Sequence, residues 1–290
     1  MQFIAMQARH WSSRRTGEKN VRIRKDIKQM LIIPDKIKQY LPDEGYRLDQ
    51  IGMSDSSVLL FRDRILKVQK NTKEAENEYR MMEWLHDRLP VPKVYARELQ
   101  DNMSFLLMSK CPGEMACAEK YMSNPVLQTE LLAQGLKSLW KTNISGCPSD
   151  QRLRFKLEEA RFNVEHNLVD VENTEPGTFG ENGFADPQAL LSWLYENQPE
   201  EEPVLSHGDF CMPNLFFDDG EIHFIDLGRA GIADKWCDIA LCYRSLTHNY
   251  DGSYGGRSYP GADANLLFQK LGLAPDWEKI RYYILLDELF

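Results

Sequence analysis

The chain has 290 residues, 42% of them hydrophobic and 27% charged, with a formal net charge of −9. That length allows one large domain or two lobes, each burying its own core, and no apolar run approaches a membrane span. The 6 cysteines make no CxxC pair and no Cys/His ligand cluster, which argues against a disulfide framework or a structural zinc and for free thiols in a reducing cytoplasm.

Charge is divided unevenly. Residues 1–38 carry +7 and the rest of the chain −16. An acidic body repels nucleic acid and favours cationic small molecules or peptides, so neither nucleic acid nor membrane is an expected partner. The short apolar patch Phe3 to Met6 has its basic residues after it, which is not the order of a secretory signal. The basic stretch from Arg9 to Lys28 reads as a solvated extension.

In chain order, residues 34–44 suggest a short helix. Residues 47–51, 57–62 and 64–68 then predict an antiparallel meander, with a loop at 52–56 and a tight Arg62-Asp63 turn. Ala75, Tyr79, Met82 and Leu85 recur at helical spacing over 73–89, and Pro90 and Pro92 end that helix. Strands at 94–98 and 104–109 flank an Asp101-Asn102 turn, giving five strands and one helix. Cys111-Pro112-Gly113 breaks the pattern as a hinge. Helices are expected at 124–142, 150–170, 186–197, 234–246, 263–272 and 276–287, with irregular Gly-rich segments at 171–185 and 249–262.

One segment carries chemistry. Ser206-His207-Gly208-Asp209 sets an Asp five residues before Asn214, and Phe224-Ile225-Asp226 places a second Asp seventeen residues after the first. Phosphoryl transfer needs a carboxylate to orient the attacking hydroxyl and hard oxygen ligands to hold magnesium on the phosphates. A strand lysine for the phosphates and a helix glutamate to hold it complete such a site. Lys67 and Glu78 are the candidates, and Glu76 faces elsewhere on the helix.

Together with Ala233-Asp234-Lys235-Trp236-Cys237-Asp238, Leu89-Pro90-Val91-Pro92 and the C-terminal Tyr282 to Phe290, these motifs make the chain resemble the aminoglycoside 3'-phosphotransferases from about residue 45 to its end. The resemblance implies a bilobal protein-kinase-like α+β fold. An extension (1–33) would precede a five-stranded antiparallel nucleotide-binding lobe with one main helix (34–109), and a hinge would lead into a mostly helical catalytic lobe (110–290). It implies Asp209 as the catalytic carboxylate, Asn214 and Asp226 as Mg²⁺ ligands, and Lys67, Glu78, Met53, Ser54, Ser109 and Cys111 around the nucleotide. Asp287, Glu288, Arg229 and the carboxylate of Phe290 would meet the drug.

The implied reaction is ATP-dependent phosphorylation of a drug hydroxyl by a cytoplasmic monomer or weak homodimer. The alternatives are a kinase of another small hydroxylated metabolite and a catalytically silent binding protein. A glycine-rich GxGxxG loop is absent. Ile65 stands where some relatives stack an aromatic on adenine, which leaves GTP open beside ATP.

Overall fold

Strand alternation explains how the first sheet presents its lysine. In a computed structural model, which describes residues 32–42, 45–48 and 56–290, a short helix α1 (Asp35–Lys38) precedes β1 (Arg47–Leu48), β2 (Ser57–Leu60) and β3 (Arg64–Lys70). The basic extension and the Gly52-Met53-Ser54 turn lie outside these residues, and with them the roles expected of Met53 and Ser54. Helix α2 (Lys73–Leu85) follows, then β4 (Val94–Gln100) and β5 (Met103–Ser109). The strands form one antiparallel sheet in the order β1-β2-β3-β5-β4. Successive side chains alternate faces, so Leu66 and Val68 enter the sheet's core with Leu59, Phe61, Phe105 and Leu107. Lys67, registered between Val58 and Leu106, points the other way. Asp101 and Asn102, with φ of 51° and 60°, make the two-residue hairpin turn that matches strand twist.

Helix α2 joins the two halves of the chain. Thr72 caps it by accepting from the Ala75 N–H at 3.1 Å. Its Met81, Met82 and Leu85 are buried in the larger core, alongside Leu106 and Met108 of β5 and the residues of the helical half.

That half begins with β6 (Glu114–Met115), α3 (Glu119–Met122), α4 (Pro125–Lys141), α5 (Leu153–Glu165) and α6 (Pro187–Glu196). Strand β7 (Pro203–Ser206), β8 (Leu215–Asp218), β9 (Glu221–Phe224) and β10 (Gly231–Asp234) then carry the signature segment. Helices α7 (Lys235–Asp251), α8 (Leu266–Leu271) and α9 (Trp277–Asp287) finish the chain. β7 pairs with β10, and β6, β8 and β9 form a second small sheet, so the segments bearing Asp209 and Asp226 are each tethered at a strand end. The five-stranded sheet and the mostly helical second half agree with the fold class expected from the sequence.

Several boundaries differ: the helices expected over 73–89, 150–170 and 263–272 span Lys73–Leu85, Leu153–Glu165 and Leu266–Leu271. Helix α5 starts at Leu153 rather than 150, because Asp150 bridges Ile232 and pairs with Arg152. Helix α7 runs five residues past 246, to Asp251, and stops where Gly252 turns left-handed at φ 84°. The short strands β6 and β10 carry too few residues for a readable alternation.

Candidate active site

The site is assembled from β3, α2 and the two turns flanked by the short strands. Lys67 Nζ lies 2.9 Å from both Glu78 carboxylate oxygens and 3.0 Å from Asp226 Oδ1. Gln69 Nε2 adds a bond to Glu78 Oε2 at 3.2 Å. Burial opposes the Lys67 charge, but the Glu78 and Asp226 carboxylates outweigh it and raise the pKa, so the group stays an ammonium. Asp226 experiences the converse: burial pushes its carboxyl up, and the neighbouring ammonium holds it below the usual range. Glu76 turns away and pairs with Arg97.

Asp209 and Asn214 meet across a single turn. Asn214 Nδ2 donates to Asp209 Oδ2 at 2.8 Å and to the Asp209 carbonyl at 3.1 Å, which fixes the carboxylate and turns the amide oxygen away from it. The turn is held from beneath. Asp238, fully buried on α7, accepts the His207 N–H at 2.8 Å and the Gly208 N–H at 2.9 Å. The His207 ring reaches the Ile225 carbonyl at 3.0 Å, linking this turn to the residue before Asp226. Gly208 has φ +77°, and a Cβ there would stand 2.0 Å from the Arg229 carbonyl oxygen. Only glycine lets the two turns close on each other.

The Asp226 turn is also gripped by α2. Asn77 Nδ2 donates to the carbonyls of Gly228 and Ala230, both at 2.9 Å, and Glu74 accepts from Arg229 Nε at 3.0 Å. Asp226 itself is left-handed (φ 58°, ψ 61°), a conformation Asp tolerates better than most residues. The sequence by itself assigns no role to Asn77 or Asp238. A carboxylate between Cys237 and Ile239 on an apolar helix face was the available sign of Asp238; nothing local distinguished Asn77.

Beyond Arg229 lies an acidic wall. Arg229 Nη1 donates to Asp287 Oδ1 at 3.0 Å, while Arg244 pairs with Asp287 Oδ2 and, at 3.1 Å, with Glu288 Oε1. Glu288 Oε2 accepts the Glu175 N–H at 2.8 Å. Burial raises the Asp287 pKa, but the Arg244 and Arg229 guanidiniums more than reverse this and keep it ionised. Burial dominates at Glu288, pushing its carboxyl up to about 7. Phe290 closes this end, its ring facing Lys156 Nζ at 4.8 Å and the Arg229 guanidinium at 5.5 Å. Asp287 and Glu288 thus stand together as the sequence suggested, already engaged by resident cations.

The connection after β5 is the remaining part. The Ser109 N–H donates to the Lys93 carbonyl at 2.8 Å, and Ser109 Oγ accepts the Lys93 N–H at 3.0 Å. The buried Cys111, two residues on, has a backbone N–H with no partner among the described residues. Burial raises its thiol to about 12, so the sulfur is not a nucleophile near neutral pH. No helix among the described residues is long and apolar enough to cross a membrane.

A sheet lysine held by a helix glutamate, facing two turns that together offer two carboxylates and an amide, defines a phosphotransferase of protein-kinase-like fold. The phosphotransferase enzyme family profile matches residues 52–283. An aminoglycoside 3'-phosphotransferase of Enterococcus faecalis is 41% identical over 86% of this chain and 90% of its own length. One of Staphylococcus aureus is 38% identical over 93% and 99%. The crystal structure of an aminoglycoside-3'-phosphotransferase of type VIII superposes with TM-score 0.69 at 26% identity, covering 88% of this chain and 98% of that one. The chain belongs to the aminoglycoside 3'-phosphotransferase family.

Proposed function

We propose that the chain transfers the terminal phosphoryl group of ATP to the 3'-hydroxyl of aminoglycosides of the kanamycin and neomycin type. A dianionic phosphate placed on a polycation spoils its fit to an anionic RNA target, which is the basis of resistance. The observation that carries this reading is the convergence of Lys67, Glu78 and Asp226 with the Asp209–Asn214 pair, on segments far apart in sequence. The names of the relatives reported above supply the acceptor.

In this reading the Cys111 N–H, which has no partner among the described residues, faces the adenine edge, with Ser109 on the same connecting strand. The Lys67 ammonium, kept charged by Glu78, sits against the α- and β-phosphates. Asp209, its carboxylate oriented by the Asn214 amide, accepts a hydrogen bond from the drug hydroxyl and takes its proton as the oxygen attacks. Catalysis then rests on in-line positioning and fixed charge rather than on covalent chemistry.

The donor set suits Mg²⁺. The Asn214 amide oxygen is directed away from Asp209, and Asp226 Oδ2 has no hydrogen-bonding partner among the described residues. Two such oxygens, completed by substrate phosphates and water, are what Mg²⁺ ordinarily takes from a nucleotide enzyme. When bound there, the ion neutralises charge on the transferring phosphates. Asp287 and Glu288 would receive drug ammonium groups, with Arg229 and Arg244 setting their positions. We also propose the nucleotide-binding lobe as residues 34–109 and the catalytic lobe as 110–290.

Coupled nucleotide turnover across a drug panel tests the reading. Kanamycin and neomycin should be phosphorylated, whereas tobramycin, which lacks the 3'-hydroxyl, should not; robust tobramycin turnover would force another regiospecificity. Asp209→Ala should lower kcat by at least about 10²-fold while leaving drug binding measurable by calorimetry. Turnover on choline-like acceptors with none on any aminoglycoside would favour the metabolite kinase.

A further inference from the structure

Among the cations that meet the carboxylates of the acidic wall is one imidazole, a group whose charge is ordinarily removable near neutral pH. Glu175, Asp287 and Glu288 are met by Arg229, Arg244 and His248. Guanidiniums stay charged at any working pH, and an imidazole does not. His248, on α7 one turn beyond Arg244, places Nε2 2.9 Å from both oxygens of Glu175. Glu175 belongs to the irregular 171–185 segment, and its backbone N–H is already bonded to Glu288. The histidine is therefore the side chain of α7 that hydrogen-bonds Glu175, with Arg244 Nε facing the same carboxylate at 3.8 Å.

We propose that His248 is a specificity-determining residue of the acceptor site: as an imidazolium it occupies Glu175, and it releases that carboxylate to a substrate ammonium when it loses its proton. The proposal rests on the aminoglycoside reading of the site. A polycation seeks carboxylates, and a carboxylate already neutralised by a resident cation offers it less. Acceptors that place an ammonium at Glu175 compete with the imidazolium, and acceptors with a hydroxyl there do not.

The surroundings favour the charged imidazole. From the 171–185 segment it faces Glu175. From its own helix it faces Asp251, whose Oδ2 is 3.9 Å from Nδ1, and Arg244. Tyr254 packs its ring 5.0 Å away, and Glu288 and Asp287 stand behind Glu175 at the end of α9. The hydrogen bond to Glu175 raises the imidazole pKa, against burial and the Arg244 charge. The tie therefore persists to higher pH than an ordinary imidazole would allow.

The test is the kanamycin KM from pH 6 to 8.5 for the parent chain and for His248→Gln, which keeps a donor to Glu175 without the charge. The parent KM should exceed that of the variant by about tenfold at pH 6 and converge on it at pH 8.5, with the difference larger in KM than in kcat. Linkage is reciprocal, so a tenfold effect also means that saturating kanamycin lowers the His248 pKa of the parent chain by about one pH unit, read by imidazole NMR titration. That second measurement stands even if the variant folds poorly. Superimposable KM profiles, or an imidazole pKa that the drug leaves unchanged or raises, would overturn the inference alone. Absence of turnover on every aminoglycoside would overturn the acceptor reading and the inference with it.

Discussion

Asp238→Asn probes how the catalytic turn is held without touching substrate. The Asp238 carboxylate uses one oxygen for the His207 N–H at 2.8 Å and the other for the Gly208 N–H at 2.9 Å, in full burial. An amide retains one acceptor and turns an NH₂ group toward the second N–H. One charge-assisted bond is lost and a buried donor is left without an acceptor, each worth about 1.5–3 kcal/mol. Burial disfavours the Asp238 charge and raises its pKa, so removing that charge offsets part of the loss. The expected net destabilisation is about 2–4 kcal/mol, or roughly 3–7 °C in Tm for a chain of this size. The same two residues precede Asp209, and the His207 ring also holds the Ile225 carbonyl, so kcat should fall by about 100-fold through misplacement of the carboxylate. Thermal unfolding and steady-state kinetics on kanamycin read the two effects separately. A variant melting within about 2 °C of the parent and retaining its kcat would refute the anchoring role.

Gly208→Ala should yield little soluble active protein, since the added methyl meets the Arg229 carbonyl and φ is +77°; a soluble variant with the parent's kcat would contradict the packing described. Lys67→Met should raise the nucleotide KM and cost about 3 kcal/mol, because Glu78 stays buried without its cation. The double variant Lys67→Met/Glu78→Leu should regain stability but not activity, and equal melting temperatures for the single and double variants would count against the buried pair. Glu288 changes stability with pH in a definite direction. Its pKa rises from 4.5 in the unfolded chain to about 7 in the folded one, so its contribution is fully present below pH 4.5 and is lost as pH rises through about 7. Glu288→Gln should remove that slope, of order 3 kcal/mol between pH 5 and 8, as measured by denaturant unfolding at the two pH values; an unchanged slope would show that another group titrates.

Much of this protein was legible in one dimension. The alternation in Ile65-Leu66-Lys67-Val68 placed a lysine on the face opposite a core, because strand geometry has a period of two. The helical period over 73–85 singled out Glu78 over Glu76 for the same geometric kind of reason. Asp209, Asn214 and Asp226 announced themselves by residue type and spacing, since magnesium-assisted chemistry restricts both. Contacts between distant segments were not legible. Asn77 reaching the Gly228 and Ala230 carbonyls, Asp238 under the catalytic turn, and the way Arg229, Arg244 and His248 share Asp287, Glu288 and Glu175 join positions up to 153 residues apart. Local propensity carries no information about such pairs. Local sequence marks the candidate reacting groups, because their chemistry and backbone periods are local properties. The tertiary structure decided which charges are already spent on one another, because that depends on which surfaces close together.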